Sequence, residues 1–356
     1  MTVNPRLVIQ RDKLRHNLRY IKVMLSVRHV SLALVTKVFC ADRPLVDLVV
    51  QEGVDYLADS RIDNLRSLAG TGIRRMLLRV AMPSEAERVI ECSELSLQSE
   101  IATIRCLGEA AQRFEKRHGI VLMIDMGDLR EGIFFRNLDL IRETAFTVME
   151  YPYLELLGVG VNLTCYGAII PDKNNLGGLV KIAEWLRRET GLPLPLVSGG
   201  NSSSLGLVNS GGAPAGITNL RIGEAFVLGN DTAKCQVMEG LYGDAFTLAA
   251  ELVEVQRKPS LPLGTSGANA FGEKVSYEDR GEHWRGILAL GRQDIIAENL
   301  RPLDKNVSVL GASSDHLLVD LGTETEYSVG QELRFALDYG NLLRAYTSKY
   351  VAKEYR

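Results

Sequence analysis

Between residues 30 and 222 short apolar runs alternate with longer amphipathic stretches, and that alternation restricts the chain to few architectures. Eight runs read as strands: VSLALV from Val30, DYLAD from Asp55, RMLLRV from Arg75, ELSLQ from Glu94, IVLMID from Ile120, ELLGVGVNL from Glu155, LPLVS from Leu194 and ITNLRIG from Ile217. Helical stretches lie between them, among them RPLVDLVVQEG from Arg43, EIATIRCLGEAAQRFEKRHG from Glu100 and NNLGGLVKIAEWLRRETG from Asn174, whose last glycine suits a helix stop. Strands rich in Val, Leu and Ile, each followed by a helix, imply parallel pairing. Eight right-handed units of this kind close into an α/β fold, a (β/α)8 TIM-type barrel. An open doubly wound sheet is the competing arrangement. After about residue 235 the pattern becomes strands and turns, as in DAFTLAAELVEVQRKP, VSVLGASSDHLLVDLG and YSVGQELRFAL. The expected division is therefore a barrel over residues 1–232 and a smaller C-terminal β domain over 233–356, with TSGANAFGEK, from Thr265, as a mobile loop.

Of the 356 residues 46% are hydrophobic and 24% charged, the balance of a folded chain with a sizeable core. A net charge of -3, with no long run of one sign, offers no footprint for nucleic acid or an anionic membrane, so small-molecule chemistry is the better expectation. The start, MTVNPRLVIQRDKLRHNLRYI, lacks the apolar centre of a secretion signal, and no stretch stays apolar over about 18 residues. The five cysteines, at 40, 92, 106, 165 and 235, are scattered and have no paired spacing for a metal. A reduced, cytoplasmic protein without a metal is expected.

In a parallel eight-stranded barrel the site lies past the C-terminal strand ends, so polar residues there carry a functional reading. Lys37 directly follows the first run. A lone lysine after a strand is commonly a solvated surface group, whereas an amine partly desolvated at a barrel mouth reacts readily with carbonyls. SGGNSSSLGL follows the seventh run, where glycines admit close backbone approach and Asn201, Ser202, Ser203 and Ser204 can either cap a helix or bind an anion. The loops after strands seven and eight are where barrels commonly hold phosphate. Arg130 follows the fifth run and Arg221 ends the eighth; taken singly, each reads as a surface ion pair. An anion site, a lysine and two arginines at one mouth suit a phosphorylated aldehyde cofactor and a carboxylate substrate.

LVIQRDKLRHNLRYIK, VTK at Lys37, DMGDLREG around Arg130, NSS at Asn201 and LRIGEA around Arg221 occur in that order. GEKVSYEDRGEHWRGILALGRQD with Tyr277, SSDHLLVDL, VGQEL and YTSKYVAKEY follow in the second domain. Collinear over nearly the whole chain, these segments resemble the landmarks of the alanine racemase class of fold type III pyridoxal-phosphate enzymes, and VTKVFCADRP is most similar to the ornithine racemase branch. The resemblance implies an amino-acid racemase with pyridoxal 5'-phosphate as cofactor. Lys37 would hold the cofactor aldehyde and serve as one of two bases, and Tyr277 would be the other. A permanently charged Arg221 would face the pyridine nitrogen. Asn201, Ser202, Ser203 and groups near Gly223 and Glu224 would hold the phosphate, with a hydroxyl from Tyr350, while Arg130 would orient the substrate carboxylate. A head-to-tail homodimer follows, the β domain of one subunit completing the barrel site of its partner.

The chain also departs from alanine racemases. Met123 stands where that family often has a modified lysine, and Cys165 where a histidine contacts the arginine at the pyridine nitrogen. Ala41 replaces a phosphate-side tyrosine, and Arg292 and Ser314 replace a tyrosine and a methionine that confine a small substrate. A roomier, more polar pocket is implied, which favours ornithine or a similar basic amino acid over alanine. A distal ammonium needs an acidic partner, with Asp294, Asp315 and Glu224 as candidates. An alanine or broad-specificity racemase is the alternative. A non-catalytic pyridoxal-phosphate-binding protein would generally end with the barrel, a decarboxylase of this scaffold would present a cysteine after Cys235, and an aldolase would need a divalent metal.

Overall fold

The computed structural model describes residues 4–268, 271, 272, 274 and 276–356, so TSGANAFGEK lies partly outside the described residues. The chain forms two compact units, Lys13–Gly243, and Met1–Asp12 together with Asp244–Arg356. β1 (Arg6–Ile9) and α1 (Arg11–Ser26) open the chain. Strand and helix then alternate: β2 (Ser31–Val35), α2 (Arg43–Glu52), β3 (Tyr56–Asp59), α3 (Ile62–Ser67), β4 (Arg74–Leu77), α4 (Ala86–Cys92), β5 (Leu95–Gln98), α5 (Ile101–Arg113), β6 (His118–Asp125), α6 (Leu138–Met149), β7 (Leu154–Gly160), α7 (Lys173–Thr190), β8 (Leu196–Ser198), α8 (Leu205–Asn209), β9 (Asn219–Ile222) and α9 (Glu224–Leu228).

β2 to β9 are the eight runs read as strands, and all pair in parallel in the order β5-β4-β3-β2-β9-β8-β7-β6. Pairing of β5 with β6 closes the barrel, which excludes the open doubly wound sheet. Barrel strands face helices outside and one another inside, so both faces are apolar. Ala33, Ala58, Met76, Leu97, Val121 and Met123 fill the interior, making it a packed core rather than a pore. Gly158 is required there, since a Cβ would lie 1.7 Å from the Leu196 carbonyl oxygen of the neighbouring β8. α7 ends as its sequence signalled, at Gly191 in the left-handed conformation with φ 71°. α5 ends at Arg113, short of the expected KRHG, because His118 and Gly119 already belong to β6.

The second unit contains β10 (Phe246–Pro259), β11 (Glu282–Leu288), β12 (Arg301–Pro302), β13 (Ser308–Ala312), β14 (Leu317–Asp320), β15 (Glu332–Ala336), α10 (Tyr339–Thr347) and β16 (Ala352–Tyr355). Its main sheet runs β12-β15-β10-β11-β14-β13. β1 adds to this sheet, antiparallel to β10 with Arg6 opposite Ala249 and parallel to β16 with Arg6 opposite Ala352. The first dozen residues therefore belong to the β unit, not to the barrel as the division at 232 and 233 assumed. Arg6 is buried and meets Glu332 and, at 2.6 Å, Glu354. A buried guanidinium is tolerable because carboxylates face it on both edges. No helix among the described residues is long and apolar enough to cross a membrane.

Candidate active site

Lys37 begins a short 3-10 turn, Lys37–Phe39, immediately beyond β2 at the C-terminal barrel end. The backbone on both sides of it is pinned. Thr36 donates its hydroxyl to Asp59 Oδ2 at 2.6 Å, and Phe39 packs edge-on against Phe226 with ring centroids 6.1 Å apart. Asp59 also accepts from the Arg61 amide and from Asn64. Burial pushes the Asp59 carboxyl above the usual range, against the pull of these hydrogen bonds.

The anion-binding residues expected after the seventh and eighth strands meet at the same end. Asn201 Oδ1 accepts from the Ser203 amide at 2.9 Å, and Ser202 Oγ accepts from the Ala225 amide at 3.1 Å, joining the turn after β8 to the start of α9. Gly200, at φ 106°, has no room for a side chain, since a Cβ would lie 2.8 Å from Ser204 Oγ. At Gly223 a Cβ would sit 3.2 Å from that of Val35, so any larger residue would crowd the end of β2. The Ser203 hydroxyl is buried without a hydrogen-bond partner among the described residues. Buried hydroxyls are almost always satisfied, so an orphan beside two glycines fits a missing acceptor such as a phosphate oxygen. With Lys37 and Arg221 at the same mouth, the donor set fits a phosphorylated aromatic aldehyde.

Arg221, 3% exposed, donates to Ser198 Oγ, to the Val161 carbonyl at 2.6 Å and to Asn162 Oδ1 at 2.7 Å. One expectation needs correction here. Burial lowers the Arg221 pKa to about 10, below the permanently charged value assumed, although the group stays charged at neutral pH. From just past β7, Asn162 is the side chain that bonds it, while the sulfur of Cys165, which stands in place of the family's histidine, lies 3.4 Å from Asn201 Nδ2. Asn162 in turn donates to Glu131, and Glu131 pairs with Arg130 through Nε at 2.5 Å and Nη2 at 2.7 Å. Arg130, expected to meet a substrate carboxylate, thus has two of its three nitrogens on Glu131. Asn162 and Glu131 were missed because one lay inside an apparent strand and the other adjoined the more conspicuous arginine. Their signal was a polar residue just past a barrel strand.

The loop after β7 is organised by one buried carboxylate. Asp128 accepts from the amides of Thr164, Cys165, Tyr166 and Ile169 at 3.0–3.2 Å. Asp128→Ala would strand these donors, and at about 1–3 kcal/mol for a charged hydrogen bond the loss should reach a few kcal/mol. Calorimetry should record a Tm several degrees lower. A fall of less than about 1 °C would show that the loop holds without this residue.

Met123 is buried in the barrel interior, where Gly160 leaves room for its sulfur, so it contributes packing and no charge. Ala41 is buried as well. Glu224 takes Asn230 Nδ2 at 3.1 Å and Thr232 Oγ1 at 3.0 Å, which engages both of its oxygens. In the β unit, Tyr277 is 52% exposed and Tyr350 58% exposed. Arg292 lies over the Phe271 ring at 4.3 Å and pairs with Glu298 at 3.0 Å. A cleft of about 670 Å3 within this unit is lined by Gln293, Asp294, Asp315, His316 and Tyr350 among others, next to Ser314 in the chain. Asp294 there accepts from Ser348 at 2.6 Å, and Asp315 accepts from Gln293.

Residues 9–231 match the family described as alanine racemase, N-terminal domain. The chain is 45% identical to the ornithine racemase of Acetoanaerobium sticklandii, over 98% of this chain and 99% of that one. It is 38% identical to the lysine racemase of Thermotoga maritima, over 99% of each. Among solved structures, the alanine racemase of Clostridium difficile 630 superposes with a TM-score of 0.74 at 18% identity, covering 100% of this chain and 96% of that one, which supports the fold. Closed barrel, appended β unit and these sequence matches agree: the chain belongs to the alanine racemase family.

Proposed function

We propose that this amino-acid racemase uses pyridoxal 5'-phosphate to interconvert L- and D-ornithine by a two-base mechanism. The observation that carries the proposal is the gathering of Lys37, the orphan Ser203 hydroxyl and the buried Arg221 at one end of a closed barrel. Full-length likeness to an ornithine racemase supports the choice of substrate. The cofactor, when bound, withdraws electrons from the α-carbon and so acidifies its proton. Asn201, Ser202, Ser203 and the backbone of Gly223 and Glu224 would hold its phosphate, Lys37 its aldehyde and Arg221 its pyridine nitrogen, with Tyr350 adding a hydroxyl. Asn162 and Ser198 hold the Arg221 guanidinium, and Arg130 would reach the substrate carboxylate through the nitrogen outside its pair with Glu131.

Inversion requires one proton to leave one face of the α-carbon and another to arrive on the opposite face. Lys37 Nζ would serve one face, and the partner subunit's Tyr277, in a head-to-tail homodimer, the other. Ser314 and Asp315 would border the substrate side chain. The five cysteines, all free, suit a reducing compartment and hence the cytoplasm.

The test is incubation of the purified protein with single L-amino acids in deuterated water, following optical rotation and the α-proton signal. Ornithine is expected to invert with deuterium uptake, and alanine at least about tenfold more slowly, since one poorly matched polar group costs about 1.4 kcal/mol or more. Faster inversion of alanine or lysine would overturn the substrate assignment. No inversion of any amino acid, with the cofactor bound, would overturn the activity.

A further inference from the structure

Glu131 occupies a position with no part in the mechanism above, yet it ties both arginines of the barrel mouth together. One carboxylate takes Arg130 through Nε and Nη2, and it also accepts from Asn162 Nδ2. The other end of that amide, Asn162 Oδ1, accepts from Arg221 Nη2 at 2.7 Å. A carboxylate only accepts and a guanidinium only donates, so the amide between them has a single orientation that satisfies both. Neither neighbour could substitute for Glu131 in this respect. Ser198 Oγ can accept or donate, and the Val161 carbonyl belongs to a backbone held by the bond from the Val161 amide to the Ser198 carbonyl.

We propose that Glu131 is a positioning residue of the racemase site: through Asn162 it fixes the guanidinium of Arg221, and through its paired contact with Arg130 it offsets the charge offered to the substrate carboxylate. The proposal rests on the reading of this mouth as the cofactor site. The charged and titratable groups acting on Arg221 are Glu131 and Arg130 from beyond β6 and Cys165 from beyond β7. Burial and Arg130 favour loss of the Arg221 proton, and Glu131 is the foremost group opposing them. Glutamine at 131 keeps the size, removes the charge, and can donate as well as accept, so the Asn162 amide loses its reason to face one way. Arg130, relieved of its partner, would bind a carboxylate more readily.

The experiment compares wild type, E131Q, E131D and N162A by the absorbance of bound pyridoxal phosphate from pH 6 to 11, by steady-state kinetics, and by nitrogen-15 NMR of the guanidinium signals in cofactor-free protein, with Arg221 assigned through R221K. In E131Q the Arg221 signals should shift, and the spectral change with pH should move down by about one unit. The kcat should fall about tenfold while KM for ornithine does not rise, a split that general loosening of the fold would not produce. E131D, which keeps the charge, should recover part of each effect. N162A cuts the same link while leaving the Glu131–Arg130 pair, and should reproduce the Arg221 shift if E131Q does not fold. Wild-type Arg221 signals and an unmoved spectral midpoint in folded E131Q or N162A would overturn the proposal. If wild type binds no pyridoxal phosphate, the cofactor reading fails, and the guanidinium signals still decide whether Glu131 holds Arg221.

Discussion

Lys37→Ala is expected to lower racemisation by about 10,000-fold or more, because one substitution removes both the group that would hold the cofactor aldehyde and one of the two bases. General acid–base catalysis alone is worth about 100- to 10,000-fold, and loss of the covalent anchor adds to it. The geometry argues for a specific role, since the turn bearing Lys37 is held by the Thr36–Asp59 hydrogen bond on one side and the Phe39–Phe226 contact on the other. A solvated lysine needs no such support. The variant should keep its fold, because the side chain is only half-buried and lies past the strand. Added methylamine should restore part of the activity if the missing amine is what matters. Activity within about tenfold of wild type, measured by polarimetry on ornithine, would remove Lys37 from the mechanism.

Tyr277→Phe should cost about 100- to 10,000-fold in inversion, yet leave a distinctive residue of chemistry. With one base gone, the face served by Lys37 can still exchange its proton with solvent. One enantiomer of ornithine should therefore exchange its α-proton for deuterium without inverting, and the other should do neither. Tyr277 is half-exposed on the β unit, so losing its hydroxyl should cost little stability, and a falling rate cannot be put down to unfolding. Equal loss of exchange from both enantiomers, or an unchanged rate, would take the tyrosine out of the second-base role. Dilution of wild type into the dissociating range offers a parallel check, since the homodimer proposed here would lose activity with protomer concentration.

The barrel was legible from sequence because a strand in a closed parallel sheet is covered on both faces and so becomes an uninterrupted apolar run, which carries its own boundaries. IVLMID lies wholly within β6, and ELLGVGVNL covers β7 from its second residue but runs three residues past its end. β1 was not legible as part of the β unit. RLVI pairs with strands some 240 and 350 residues away, and nothing local in a four-residue strand names its partner. The position of Lys37 just past a strand could be read directly, as could the glycine and serine cluster after β8, because both depend on neighbours in the chain.

The environment of Arg221 could not be read in that way. Its acceptors come from the end of β8 and from the two residues just past β7, and only closure of the barrel brings them together. For the same reason sequence could show that a cysteine, Cys165, stands where the family has a histidine, but not that Asn162 is the residue after β7 that bonds the arginine. Burial, which brings the Arg221 pKa down to about 10, is likewise a property of the packed barrel and not of any motif. From its sequence alone this protein has its eight-stranded barrel, its family and the lysine at the barrel mouth, since those follow from local pattern and order along the chain. The tertiary structure alone decided which strand the N-terminus joins and which groups hold the arginines, because hydrogen-bond partners and desolvation depend on distances that chain order does not encode.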